Sequence, residues 1–173
     1  MLLKKIIAIC LLPYAVWLVL FYRYHFLDGA NLLIHEAGHM VFLPLGLTLH
    51  IIGGTLWQLV FPAVVAGYFW RRRQRYESAV GCLWLGESLM YTAVYVGDAM
   101  AMILPRVGGP IHDWNWLLHR VGLLGQCQTI AWGLHGIASA VVLLSILYML
   151  LDVFGLSGLV NPHPLSCLGQ PNQ

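Results

Sequence analysis

Charge is what this chain has least of. Lysine and arginine number nine and aspartate and glutamate seven, 9% of the residues, where an ordinary soluble domain carries roughly 25%. With 60% hydrophobic residues, that scarcity excludes a water-soluble globule and points to a lipid bilayer as the partner. The net charge of +2 is too small and too localised for nucleic acid. Four cysteines (Cys10, Cys82, Cys127 and Cys167) form no C-x-x-C pair. They read as small buried apolar residues rather than zinc thiolates or a disulfide framework. No internal repeat and no phosphate-binding glycine loop is present, since Gly53-Gly54 and Gly108-Gly109 are isolated pairs. The apolar run that follows Lys4-Lys5 lacks an A-x-A-like cleavage site, so it reads as a retained first membrane helix rather than a removed signal.

What the chain does have is long apolar runs. A spanning helix needs about 20 mostly apolar residues, and the segments 6–22, 50–70 and 129–151 qualify. Segment 78–104 qualifies too, although it carries Glu87 and Asp98. Segment 31–45 is shorter and suits a half-inserted helix. The expected fold is therefore all-α: a membrane bundle of four transmembrane helices plus one short half-inserted helix. Residues 1–154 form the membrane domain and 155–173, rich in Gly, Pro, Ser and Asn, a poorly ordered tail. Basic residues cluster at Lys4-Lys5 and Arg71-Arg72-Arg73-Gln74-Arg75, and the positive-inside rule puts both in the cytoplasm. That holds only if segment 31–45 does not cross. Short loops suggest a bacterial inner membrane.

The half-inserted segment carries His35-Glu36-Ala37-Gly38-His39. On a helix, positions i and i+4 share a face, so both imidazoles can grip one zinc ion while Glu36 takes a proton from a metal-bound water. Ionisable groups inside a membrane are costly, and such residues are functional by default. The competing reading is an interfacial helix whose histidines only hydrogen-bond carbonyls.

Catalytic zinc takes three protein ligands, so a third must come from elsewhere. Asp98 leads, because it lies in a predicted spanning helix beside Gly97 and shares a helix face with Glu87, Tyr91 and Val94. The acids Glu87 and Asp98 stand roughly 16 Å apart along that helix, so they cannot hold one ion together. The rival is His112 in Ile111-His112-Asp113-Trp114, with Asp113 orienting an imidazole or Arg120. Gln58 and His135 read as polar groups that bond across helices. Tyr22, Tyr24, Tyr68, Trp70, Trp114 and Trp116, at segment ends, read as an interfacial belt.

The His35-Glu36-Ala37-Gly38-His39 string in an apolar helix resembles the membrane-embedded zinc metalloproteases of the site-2 protease class. The resemblance implies zinc held by His35, His39 and an aspartate from a later helix, here Asp98, with Glu36 as the catalytic base. Asp98 is flanked by Gly97 and Ala99 rather than by the Leu-Asp-Gly context usual in that class, and no PDZ-like insertion is present. The strings Gly53–Gln58, Gly97-Asp98-Ala99 and His112-Asp113-Trp114 are also similar to those of small bacterial membrane proteins. The expected function is a zinc-dependent membrane peptidase acting on a peptide or membrane-protein substrate. Two alternatives remain open: a metal-binding membrane protein without catalysis, and a transporter or proton relay running through Glu87 and Asp98.

Overall fold

The structure, a computed structural model, describes residues 2–104, 107 and 111–156. Among the described residues there are six α-helices: α1 (Leu2–Phe21), α2 (Phe26–Phe42), α3 (Leu47–Arg71), α4 (Arg75–Gly97), α5 (Asp113–Arg120) and α6 (Cys127–Val153). No strand occurs among the described residues. Helices α1, α3, α4 and α6 are long and apolar enough to cross a bilayer, with mean hydropathies of 2.0, 1.6, 1.3 and 2.2. The chain is an all-α polytopic bundle. The least hydropathic span, α4, is also the most enclosed by its neighbours, which is why it can carry the polar residues that a lipid-facing helix cannot.

Contacts at the helix ends orient the bundle. Lys4 at the start of α1 pairs with Glu77 at the start of α4 at 2.5 Å, and Tyr76 donates to the Lys4 carbonyl at 3.0 Å. Lys5 lies 5.1 Å over the Phe154 ring, just past the end of α6. The Lys4-Lys5 pair and the arginine-rich turn between α3 and α4 therefore share one end of the bundle.

Helix α2 does not run the length of that bundle. It starts at mid-depth, where His25 meets Tyr14 in the middle of α1 at 2.7 Å and Asn31 reaches Glu87 in the middle of α4 at 2.7 Å. It ends beside the beginning of α3, where His39 bonds the His50 carbonyl at 2.7 Å. Its 17 residues make a helix of about 25 Å, short of the ~30 Å hydrocarbon core.

Two boundaries differ from the hydropathy reading. Helix α2 begins before Asp28-Gly29 rather than after it, because the Asp28 carboxylate accepts the His25 backbone N–H at 2.7 Å and favours the positive end of the helix dipole. Helix α4 stops at Gly97 rather than continuing to 104. The Asp98 carboxylate accepts the backbone N–H groups of Ile103 (2.9 Å) and Leu104 (3.0 Å), which folds the chain over the helix end although the residues are apolar.

The core lies where α1, α4 and α6 meet, around Leu18, Met90, Val142 and Met149. A smaller cluster of Val96, Ala99, Leu118, Cys127 and Ala131 seats α5 against α4 and α6. His135 bonds the Val19 carbonyl of α1 at 3.0 Å, the cross-helix role expected for it. Cys127 is buried as expected, whereas Cys82 is half-buried and Cys10 lies on the outer, apolar face of α1; all three are free thiols. Cys167 and the segment 157–173 lie outside the described residues.

Candidate metal centre

Spacing alone brings His35 and His39 to one face of α2. What points them inward is helix α3. Gly38 approaches the Gly53 carbonyl so closely that a Cβ there would collide with it, and that approach brings the imidazoles over Gly54. A Cβ on Gly54 would stand 2.5 Å from His35 Nε2 and 2.6 Å from His39 Nε2. Gly54 is thus the floor on which both rings rest, while Gly53 lets Gly38 and Phe42 approach. Gly54→Ala is expected to displace both imidazoles while the helical circular dichroism is kept; titration with zinc against a competing chelator reads the loss of the paired ligands.

Each imidazole is also fixed through its other nitrogen. His35 Nδ1 bonds the Gln58 side-chain oxygen at 3.1 Å, and Gln58 donates its amide to the Ser88 carbonyl at 3.1 Å. His39 Nδ1 donates to the His50 carbonyl at 2.7 Å, while His50 Nδ1 returns a bond to the His39 carbonyl at 2.9 Å. With both Nδ1 atoms committed to oxygens, both Nε2 lone pairs are left to face the same point. This is the arrangement that sets tautomer and ring orientation at histidine metal sites.

At that point lies Asp113. Its Oδ2 is 2.9 Å from His35 Nε2 and 3.2 Å from His39 Nε2, so three ligand atoms from three residues converge. Ligands about 2.0 Å from a tetrahedral zinc stand about 3.3 Å apart. Two imidazoles and one carboxylate at these separations therefore fit a catalytic zinc with little movement. Burial pushes the Asp113 carboxyl up, but the bonds from His35 and His39 outweigh it and hold the group below the usual carboxylate range. The same carboxylate raises His39 against the lowering effect of burial.

Asp98 and His112 sit elsewhere and do a different job. His112 Nδ1 accepts the Asn115 backbone N–H at 3.2 Å, capping α5. Its Nε2 faces Asp98 Oδ2 at 3.4 Å, and its ring stacks on Tyr95 with centroids 4.3 Å apart. Burial, opposed by Asp98, holds His112 below the ordinary imidazole range, which suits a neutral cap. Asp98 thus faces His112 without a hydrogen bond, His112 starts α5, and Asp113 is the first residue of that helix. Asn115 donates to the Ala99 carbonyl at 2.7 Å and Trp114 to Thr55 Oγ1 at 3.2 Å, so α5 is fastened to both α4 and α3. The structure brings His35, His39 and Asp113 together and leaves Asp98 and His112 outside that group.

Glu36, next to His35, lines the same cavity of about 800 Å³ as the three converging residues. Its walls are mostly apolar and aromatic, with Leu32, Tyr91, Val94, Tyr95 and Ile111 among them. A space of this size and character suits an extended, largely apolar substrate. Sequence reasoning missed His50 as the group that orients His39 and missed Gly54 as the floor. The adjacent glycines, a small-residue surface of the kind that lets helix backbones approach, were the available signal for the latter.

The chain matches no protein-family model, no curated protein and no solved structure.

Proposed function

We propose that the protein is a zinc-dependent membrane hydrolase that cleaves peptide bonds, with His35, His39 and Asp113 as ligands and Glu36 as general base. The observation that carries this reading is the convergence of two Nε2 atoms on one Asp113 oxygen, each ring tied down through Nδ1, beside Glu36 in a substrate-sized cavity.

Zinc, when bound, acts as a Lewis acid and lowers the pKa of a coordinated water to about 7. The chain supplies the rest. Gln58 and the His50 carbonyl keep both imidazoles in the tautomer that leaves Nε2 free. Glu36 accepts a proton from the attacking water at its carboxylate and returns it to the leaving amine. The apolar walls keep bulk water away, which strengthens each electrostatic contact inside.

A bacterial inner membrane remains the proposed location. The positive-inside rule places the Lys4 and Arg71–Arg75 end in the cytoplasm, so the centre opens toward the opposite face. A relay through Glu87 and Asp98 has less support, since Glu87 bonds Asn31 while Asp98 bonds the loop after α4. The test is metal content. Wild-type protein should lose one equivalent of zinc on His35→Ala; protein purified without zinc, or zinc content unchanged by that substitution, overturns the reading.

A further inference from the structure

A second group of ligand-type side chains lies at the other end of α2. His25, Asp28 and Glu87 each place one nitrogen or oxygen within 4.8 Å of the others. Asp28 and Glu87 are 0% and 1% exposed, so two carboxyl groups face each other inside an apolar bundle, and among the described residues His25 is the only basic group paired with either. Two ionised carboxylates buried together are costly, so either a proton or a cation neutralises the pair.

The hydrogen bonds show where. Asp28 is saturated: it accepts from Tyr22 O–H, from the His25 backbone N–H at 2.7 Å, and from His25 Nδ1 at 2.7 Å. That last bond makes His25 Nε2 the nitrogen with a lone pair, the orientation a carboxylate imposes on a metal-binding histidine. Tyr14 O–H donates to this Nε2 at 2.7 Å, a bond that an entering cation displaces. Glu87 is half satisfied. Its Oε2 accepts from Asn31 at 2.7 Å, and Asn31 is itself held by Trp84 and Ser88 at 2.9 and 3.1 Å. Its Oε1 is buried with no hydrogen-bond partner. That oxygen lies 3.8 Å from His25 Nε2, too far for a hydrogen bond. Two ligands each about 2.1 Å from one ion stand roughly 3.0 to 3.6 Å apart at angles of about 90° to 120°, so a small closure of this gap would seat a cation.

We propose that His25, Asp28 and Glu87 form a second cation site for a first-row divalent metal, distinct from the His35–His39–Asp113 centre. His25 Nε2 and Glu87 Oε1 are the principal ligands, and Asp28 supplies the further negative charge. One imidazole nitrogen and one carboxylate oxygen, with a second carboxylate beside them, suit zinc or manganese. The site ties the start of α2 to α4 and so fixes the depth at which the half-inserted helix sits. It is structural in role, because none of its three residues lines the large cavity.

The test uses the full chain, stripped with chelator and reloaded with Zn²⁺ or Mn²⁺, with bound metal counted after removal of free ion. Wild type should hold two equivalents. Glu87→Gln and His25→Ala should each hold one, the double substitution His35→Ala/His39→Ala should also hold one, and His35→Ala/His39→Ala/Glu87→Gln none. A folded Glu87→Gln protein with unchanged metal content overturns the second site. So does a wild-type stoichiometry of one that disappears with His35→Ala/His39→Ala; a proton shared between Asp28 and Glu87 then balances the pair, and the peptidase reading stands. One equivalent lost with Glu87→Gln but not with His35→Ala/His39→Ala upholds this site and overturns the first. If Glu87→Gln does not fold, the His35→Ala/His39→Ala protein settles the matter through thermal unfolding: added Zn²⁺ should raise its melting temperature, and an unchanged value overturns the site.

Discussion

Asp113→Ala is expected to strip the proposed zinc from the histidine pair, whereas Asp98→Ala is expected to leave it bound. Both are acids near the same end of the bundle, and the resemblance to the site-2 protease class points to Asp98. The distances point the other way. Asp113 Oδ2 stands 2.9 and 3.2 Å from the two Nε2 atoms, while Asp98 spends its oxygens on Ile103 N and Leu104 N. Removing a ligand from a three-ligand site should weaken zinc binding by more than about 100-fold, above the 10- to 100-fold typical of an outer partner. Asp98→Ala loosens the loop and His112, and through them the start of α5, so its cost should be about 10-fold. Competition with a chelator of known affinity reads both. Equal losses, or a larger loss at Asp98, would return Asp98 to the ligand set.

The all-helical bundle was legible because membrane helices must satisfy their backbone internally, and hydropathy over about 20 residues reports that requirement. The half-inserted α2 was legible from its length together with the positions of Lys4-Lys5 and Arg71–Arg75. The histidine pair was legible because i and i+4 geometry is local. The placement of Asp113 was not. It depends on where α4 ends, and α4 ends through bonds from the Asp98 side chain to backbone five and six residues later, which hydropathy does not record. Once α4 stops at Gly97, Asp98 becomes a cap for the loop and His112 a cap for α5, and the acid that reaches the histidines is the one following His112. The His25–Asp28–Glu87 group was hidden for a related reason. Asp28-Gly29 reads as a helix boundary, and nothing in one dimension says that Glu87, 59 residues on, meets it.

Glu36→Gln should lower peptide hydrolysis by about 10²- to 10⁴-fold, the range for loss of general acid–base catalysis, and leave zinc bound. The amide keeps the size of the carboxyl group but cannot take a proton from water. Glu36 lines the cavity alongside His35, His39 and Asp113, and none of the three converging ligand-type atoms belongs to it. Metal content and turnover should therefore separate. Glu36→Gln keeps zinc without activity, His35→Ala loses both, and Glu36→Asp recovers only part of the rate because its shorter side chain sets the carboxylate back by about 1 Å, a displacement worth up to ~10²-fold. Hydrolysis of a labelled peptide mixture by protein in lipid discs, with bound zinc measured on the same samples, makes the comparison. If Glu36→Gln retains full turnover, the base lies elsewhere. If it loses zinc as well, Glu36 is part of the metal shell. If wild type hydrolyses nothing while holding zinc at the histidines, the protein is a metal-binding membrane protein and not a peptidase. Those three outcomes separate chemistry from coordination at the one residue of the motif that need not touch the ion.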